Sequence, residues 1–128
     1  MRNSVTVFLS WPAKELSPNY RGHWARIAKA KKVARQEAYV SFLKAGARNL
    51  PWEGARLAVT FHPPGRYGYD EDGLMSRCKA IFDGIADAIG VNDRNFRYPE
   101  PTIAEPVKGG KVIITLTPAV SNVRKGTK

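Results

Sequence analysis

At 128 residues the chain is long enough for one modest core and too short for two domains, and its 43% hydrophobic and 25% charged composition excludes a disordered or membrane-embedded class. Its 21 Lys and Arg against 11 Asp and Glu leave a formal charge of +10, a balance that attracts polyanions such as nucleic acid. The single cysteine, Cys78, excludes an internal disulfide and a cysteine-rich zinc site; with no apolar run near about eighteen residues and no signal-like N-terminus, the expected location is the cytoplasm.

Ser4 to Ser10 is a β-branched and aromatic run that Pro12 ends, which predicts a first strand. Ala13 to His23 mixes turn formers without a period and reads as a loop. From Trp24 to Ala47 proline is absent, apolar residues alternate with charge as on an amphipathic helix, and Gly46 is a natural terminator. Along this helix and its approach lie Arg21, Arg26, Lys29, Lys31, Lys32, Arg35, Lys44 and Arg48, opposed in sequence only by Glu37. A charge run usually means a solvated face. One nearly all of one sign, without local acidic partners, suits contact with phosphate.

Leu57 to His62 predicts a second strand, stopped by Pro63-Pro64-Gly65. A Gly- and Tyr-rich loop leads to Asp70-Glu71-Asp72, where a second helix starts. Its apolar residues, from Leu74 through Cys78, Ile81 and Ile85 to Ile89, keep helical spacing, and Gly90 stands as the C-terminal cap. Segments around Thr102 to Val107 and Lys111 to Thr117 flank Lys108-Gly109-Gly110, a predicted hairpin turn. The order strand, helix, strand, helix, strand, strand predicts a single α+β domain over residues 1–120, with a mixed sheet and helices packed on it. A flexible basic tail, 121–128, is expected to follow.

Acidic residues beside glycine loops stand out in so basic a chain. Asp70 and Asp72 at the start of the second helix, with Asp93 beyond its terminal glycine, form a hard oxygen donor set if the two loops converge at one sheet edge. Such a set suits a hard divalent cation such as Mg2+ and the activation of water for phosphodiester attack. The plainer alternatives are helix capping for Asp72, a favourable helix dipole for Asp70 with Glu71, and an ordinary turn for Asn92-Asp93. Lys79 lies seven residues after Asp72, close to two helical turns, so both would project to one side, where a cation can orient a phosphate. Its alternative is an i,i+4 pair with Asp83. A calcium-binding EF-hand is excluded because the twelfth position from Asp70 is Ile81 rather than glutamate. His23 and His62 have no close sequence partner.

Leu9-Ser10-Trp11-Pro12 with Ser17-Pro18-Asn19, the Asp70-x-Asp72 pair opening a helix, Lys79-Ala80-x-Phe82-Asp83 with Ala86-Asp87-Ala88, and Asn92-Asp93 with Lys108-Gly109-Gly110-Lys111 occur in this order. In order and spacing the run from Val5 to Thr117 resembles the RusA-type crossover junction endodeoxyribonucleases of bacteria and phages. The resemblance implies a homodimer that binds four-way DNA junctions and makes paired nicks with Mg2+ or Mn2+. It places the metal-holding and catalytic aspartates on Asp70, Asp72 and Asp93, and the family lysine on Lys79. DNA contacts are expected from Asn19, Arg21, Lys29, Lys31, Lys32 and Arg35. The chain departs from the family pattern in a longer Asp72 to Lys79 spacing and in Asn92 and Gly73. Two other classes stay open: a non-catalytic nucleic-acid-binding module, and a single-strand binder that stacks bases on Trp11, Tyr20, Trp24 and Tyr67.

Overall fold

A computed structural model describes residues 3–66 and 68–120. The strands are β1 (Val5–Ser10), β2 (Gly54–His62), β3 (Phe96–Arg97), β4 (Thr102–Ile103) and β5 (Lys111–Ala119); the helices are α1 (Trp24–Lys44), α2 (Glu71–Arg77) and α3 (Lys79–Ile89). In β1 and β5 burial alternates strictly from residue to residue, and in most of β2 as well, as a pleated sheet with one covered face requires. Val5, Val7 and Leu9, then Leu57, Val59 and Phe61, then Val112, Ile114 and Leu116 point into one core. The sheet runs β1-β5-β2-β3, with β1 and β2 antiparallel to β5, and β3 and β4 both parallel to β2. The molecule is therefore a single α+β domain with a mixed sheet and helices packed on it.

α3 is the most apolar helix; Ala80, Ile81, Phe82, Gly84, Ile85, Ala88 and Ile89 are all buried. α1 packs across it at Gly84, where an added Cβ would overlap the Arg35 carbonyl oxygen and press on Ala38. At its other end, Gly90 takes a left-handed conformation (φ 74°), and the N–H groups of Asn49 and Leu50 donate to the Ala88 and Ile89 carbonyls at 3.0 and 2.8 Å. The loop after α1 thus satisfies the final carbonyls of α3.

Three expectations need correction. α1 ends at Lys44, three residues before Ala47, because the chain turns at Gly46 (φ 87°). The predicted second helix is two helices. At Cys78 (φ −93°, ψ 5°) the N–H donates to Met75, a tighter i→i−3 turn that closes α2 before α3 restarts. The predicted hairpin is absent. Gly109 and Gly110 do make the turn, both at positive φ, but β4 pairs with β2 rather than β5. Ala104 and Val107 then donate to Phe61 and Pro63, so this segment follows β2 onward and leaves β5 to be sandwiched between β1 and β2. The expected flexible tail lies outside the described residues.

Replacing Gly84 by Ala should force α1 and α3 apart and destabilise the protein by about 1–3 kcal/mol, read as a lower urea midpoint. Gly68→Ala, with open space around its position, should shift the midpoint far less.

Candidate functional site

Asp70 is the last residue of the loop before α2, in extended conformation, and its Oδ1 accepts from the Gly73 N–H at 2.6 Å. The helix cap considered for Asp72 thus belongs to Asp70, and Oδ2 lies outside that bond. Asp72 sits exposed in the first turn of α2, its carbonyl accepting from Ser76 Oγ at 2.9 Å. The helix break at Cys78 removes the premise that Asp72 and Lys79 share a face of one helix. They are neighbours nonetheless: both line an open cleft of about 760 Å³ with Ser76, Glu71, Glu100 and Tyr98.

Lys79, the first residue of α3, donates from Nζ to Asp83 Oδ1 at 2.9 Å and lies 3.8 Å from Asp93 Oδ2. The i,i+4 pair is therefore real, and so is the approach to Asp93. The hydrogen bond to Asp83 chiefly raises the Lys79 pKa; burial works against it, and the charges of Asp83 and Asp93 add to it. Asp93 starts the 3-10 turn Asp93–Asn95, capped by the Asn92 side chain, which accepts from Arg94 N–H at 3.0 Å. Tyr98, packed on Phe82 with ring centroids 4.9 Å apart, has its phenol pushed up to about 12 by burial and then by the charges of Asp93 and Asp83. The Glu71 carboxyl is raised by burial and by the facing Glu100 carboxyl.

Among the described residues no three His, Cys, Asp or Glu side chains gather as a group that could hold a metal ion. Asp70, Asp72 and Asp93 are thus not a preformed cage. The donor chemistry nevertheless fits Mg2+ or Mn2+, since Mg2+ is usually held by one or two carboxylates and completes its shell with water and phosphate oxygens.

On the other side of Lys79 a second cleft is lined by Lys31, Lys32, Arg35 and Asp83. Arg35 is less available than its sequence context implied: it makes a bidentate pair with Asp87 of α3, at 2.7 and 3.0 Å. Arg26 lies 3.7 Å from Glu15. α1 therefore has acidic partners, supplied from other elements, while Glu37 is engaged elsewhere, accepting from the Ser10 N–H and hydroxyl. Lys29, Lys31 and Lys32 are exposed, as are Asn19 and Arg21, which line neither cleft that Lys79 borders. Sequence reasoning passed over Glu71, Glu100 and Tyr98 as members of the cleft; only the return of the chain from β3 along α2 and α3 places Tyr98 and Glu100 there. His23 proves to be the α1 cap, its Nδ1 accepting from Ala25 N–H at 3.1 Å. His62 Nδ1 bonds the Glu105 carbonyl at 2.9 Å. Tyr67 lies outside the described residues.

No family model matches the chain. It is similar to an uncharacterized protein of Xylella fastidiosa (strain Temecula1 / ATCC 700964), 43% identical over 130 aligned positions that cover 98% of this chain and 84% of that protein. The chain belongs to that protein's family. The name of this Xylella relative carries no activity with it. Among solved structures the chain has a likeness to the FtsZ W319Y mutant of M. jannaschii, at 8% identity and a TM-score of 0.43, over 91% of this chain and 28% of that one. At that score the likeness carries no argument. Among the described residues no helix is long and apolar enough to cross a membrane.

Because the folded state raises the Glu71 pKa, its favourable contribution is complete below the ordinary carboxylate range and is lost as pH rises through the raised value. In buffer with EDTA, Glu71→Gln should therefore have a higher urea midpoint than the wild type at pH 7, and the difference should close toward pH 4.

Proposed function

We propose that this protein is a metal-dependent endodeoxyribonuclease of the RusA type, acting in the cytoplasm as a homodimer that nicks four-way DNA junctions in pairs. The observation that carries the reading is the position of Lys79, between the carboxylate cleft of Asp72 and the basic cleft of Lys31, Lys32 and Arg35, with Asp93 3.8 Å from its ammonium. A phosphate seated on the basic side would present its backbone to the carboxylates across one cation.

In this reading Asp70, Asp72 and Asp93 would hold Mg2+ or Mn2+, whose shell water and the substrate phosphate would complete. The metal, when bound, lowers the pKa of water and stabilises negative charge on the phosphate. Lys79 stabilises the charge that builds on the phosphate oxygens, which requires it to turn from Asp83 toward the substrate. Its raised pKa keeps it protonated while it does so. Lys31 and Lys32, with Lys29, Arg21 and Asn19 further along, hold the DNA backbone and set affinity rather than sequence preference. A two-fold dimer would place two such sites for symmetric cuts.

The test is cleavage of a synthetic mobile four-way junction, with duplex and single-stranded controls, in Mg2+ or EDTA. Paired nicks on the junction that need the metal are expected, with Asp72→Asn inactive and Lys79→Ala slower by about 10²–10³. Junction binding without cleavage under any divalent metal would leave a structure-selective binding protein instead. Asp87→Asn should release Arg35 to phosphate, raising junction affinity several-fold and steepening the salt dependence by about 0.9 in log–log slope.

A further inference from the structure

The N-terminal half of α1 has no role in the core. A helix of 21 residues is about 30 Å long, yet its buried residues are Ala38 and Phe42, both in the C-terminal half, and no residue from Trp24 to Val33 is buried. This half borders open clefts against the turn Lys14–Leu16, the end of β1 and the start of α3 rather than filling the core. At its tip Trp24 is 74% exposed. Tryptophan is the side chain with most to gain from burial, so an indole left in water on a rigid element is unusual. The imidazole of His23 lies alongside its ring, with centroids 5.6 Å apart and planes 27° from parallel. That imidazole is itself fixed as the cap of α1 through Ala25 N–H.

The surroundings decide what can cover this indole. Arg21, Arg26 and Lys29 are exposed within five residues of it, and Lys31 and Lys32 follow on the same helix. Glu15, against Arg26, is the acid there. A second copy of the chain brought onto this tip would meet its own cations. A polyanion that also offers flat aromatic surface would meet both the charge and the ring. Intact duplex DNA hides its base faces in the stack; a branch point exposes them.

We infer that Trp24 is a stacking platform for an unstacked base at the branch point of DNA, carried there by the basic helix tip, and that it gives selectivity for branched over linear DNA. This rests on the junction-nuclease reading and adds to it the residue that recognises the branch. Base stacking on an aromatic side chain is worth about 1–3 kcal/mol per base, so its loss should be read as roughly a five- to hundredfold change in affinity.

The experiment compares the full-length wild type with Trp24→Ala and Trp24→Phe in metal-free binding to a four-way junction and to a linear duplex of equal length. The junction carries 2-aminopurine at the branch point. The expected result is that Trp24→Ala binds the junction about tenfold more weakly and the duplex unchanged, and loses the quenching of 2-aminopurine, while Trp24→Phe retains both. With the indole so exposed, the urea midpoint of Trp24→Ala should match the wild type, which separates recognition from folding. Equal losses on junction and duplex, no loss on either, or conversion of a dimer to a monomer would overturn the assignment to Trp24. A wild type that fails to prefer the junction at all would overturn the junction reading itself.

Discussion

The close crossing of α1 and α3 at Gly84 is the constraint on which the other features depend. α3 buries a broad apolar face, with Lys79, Asp83 and Asp87 as its polar stripe, and that face must be covered by the sheet below and by α1 beside it. Gly84 lets the backbone of Arg35 come near enough to do this. That approach sets three distances at once. It brings Arg35 to Asp87, it places Lys31 and Lys32 beside the start of α3, and it fixes Lys79 at the junction of two clefts. The loop after α1 then caps α3 through Asn49 and Leu50, so the helix is tied at its middle and its end.

Charge follows the same geometry. In a chain of net charge +10, several acids are spent on structural work: Asp87 on Arg35, Glu37 on Ser10, Asp70 partly on the α2 cap. Glu71, Asp72 and Glu100 remain on one side of Lys79, and Asp83 and Asp93 neighbour its ammonium. The Glu71 carboxyl is raised by burial first and then by the like-charged Glu100 that faces it. Opposite charges held apart on one surface, rather than scattered, are what a phosphodiester substrate needs: cations for the backbone and carboxylates for a hard metal.

The N-terminal half of α1 represents the opposite choice. Its first turns leave Trp24 and Val33 exposed and so give up burial that an amphipathic helix would normally claim. A basic helix end that carries an exposed indole is costly to keep in water unless it meets a partner. Base faces opened at a branch would supply one.

Much of this was legible in the sequence because local physics governs it. Alternation in β1, β2 and β5 is a period-two signal, Gly46 and Gly90 terminate helices by taking positive φ, and the apolar run from Leu74 to Ile89 could only be helix. The carboxylates and Lys79 were legible as residue types and as neighbours in order. What local pattern could not decide was anything set by contacts distant in the chain. The Cys78 break keeps the helical period almost intact, so no periodicity reports it. β4 carries the same alternation whether it pairs with β5 or β2, and only the space beside β2 chooses between them. The partner of Arg35 lies 52 residues away, and Tyr98 and Glu100 reach the Asp72 cleft only when the chain folds back. The sequence by itself determined the elements, the core faces and the chemical identity of the charged groups, since these rest on steric and hydrophobic preferences within a few residues. The tertiary structure alone decided which charges neutralise one another and which are left for a ligand, because Coulomb and hydrogen-bond energies depend on distances that only packing sets.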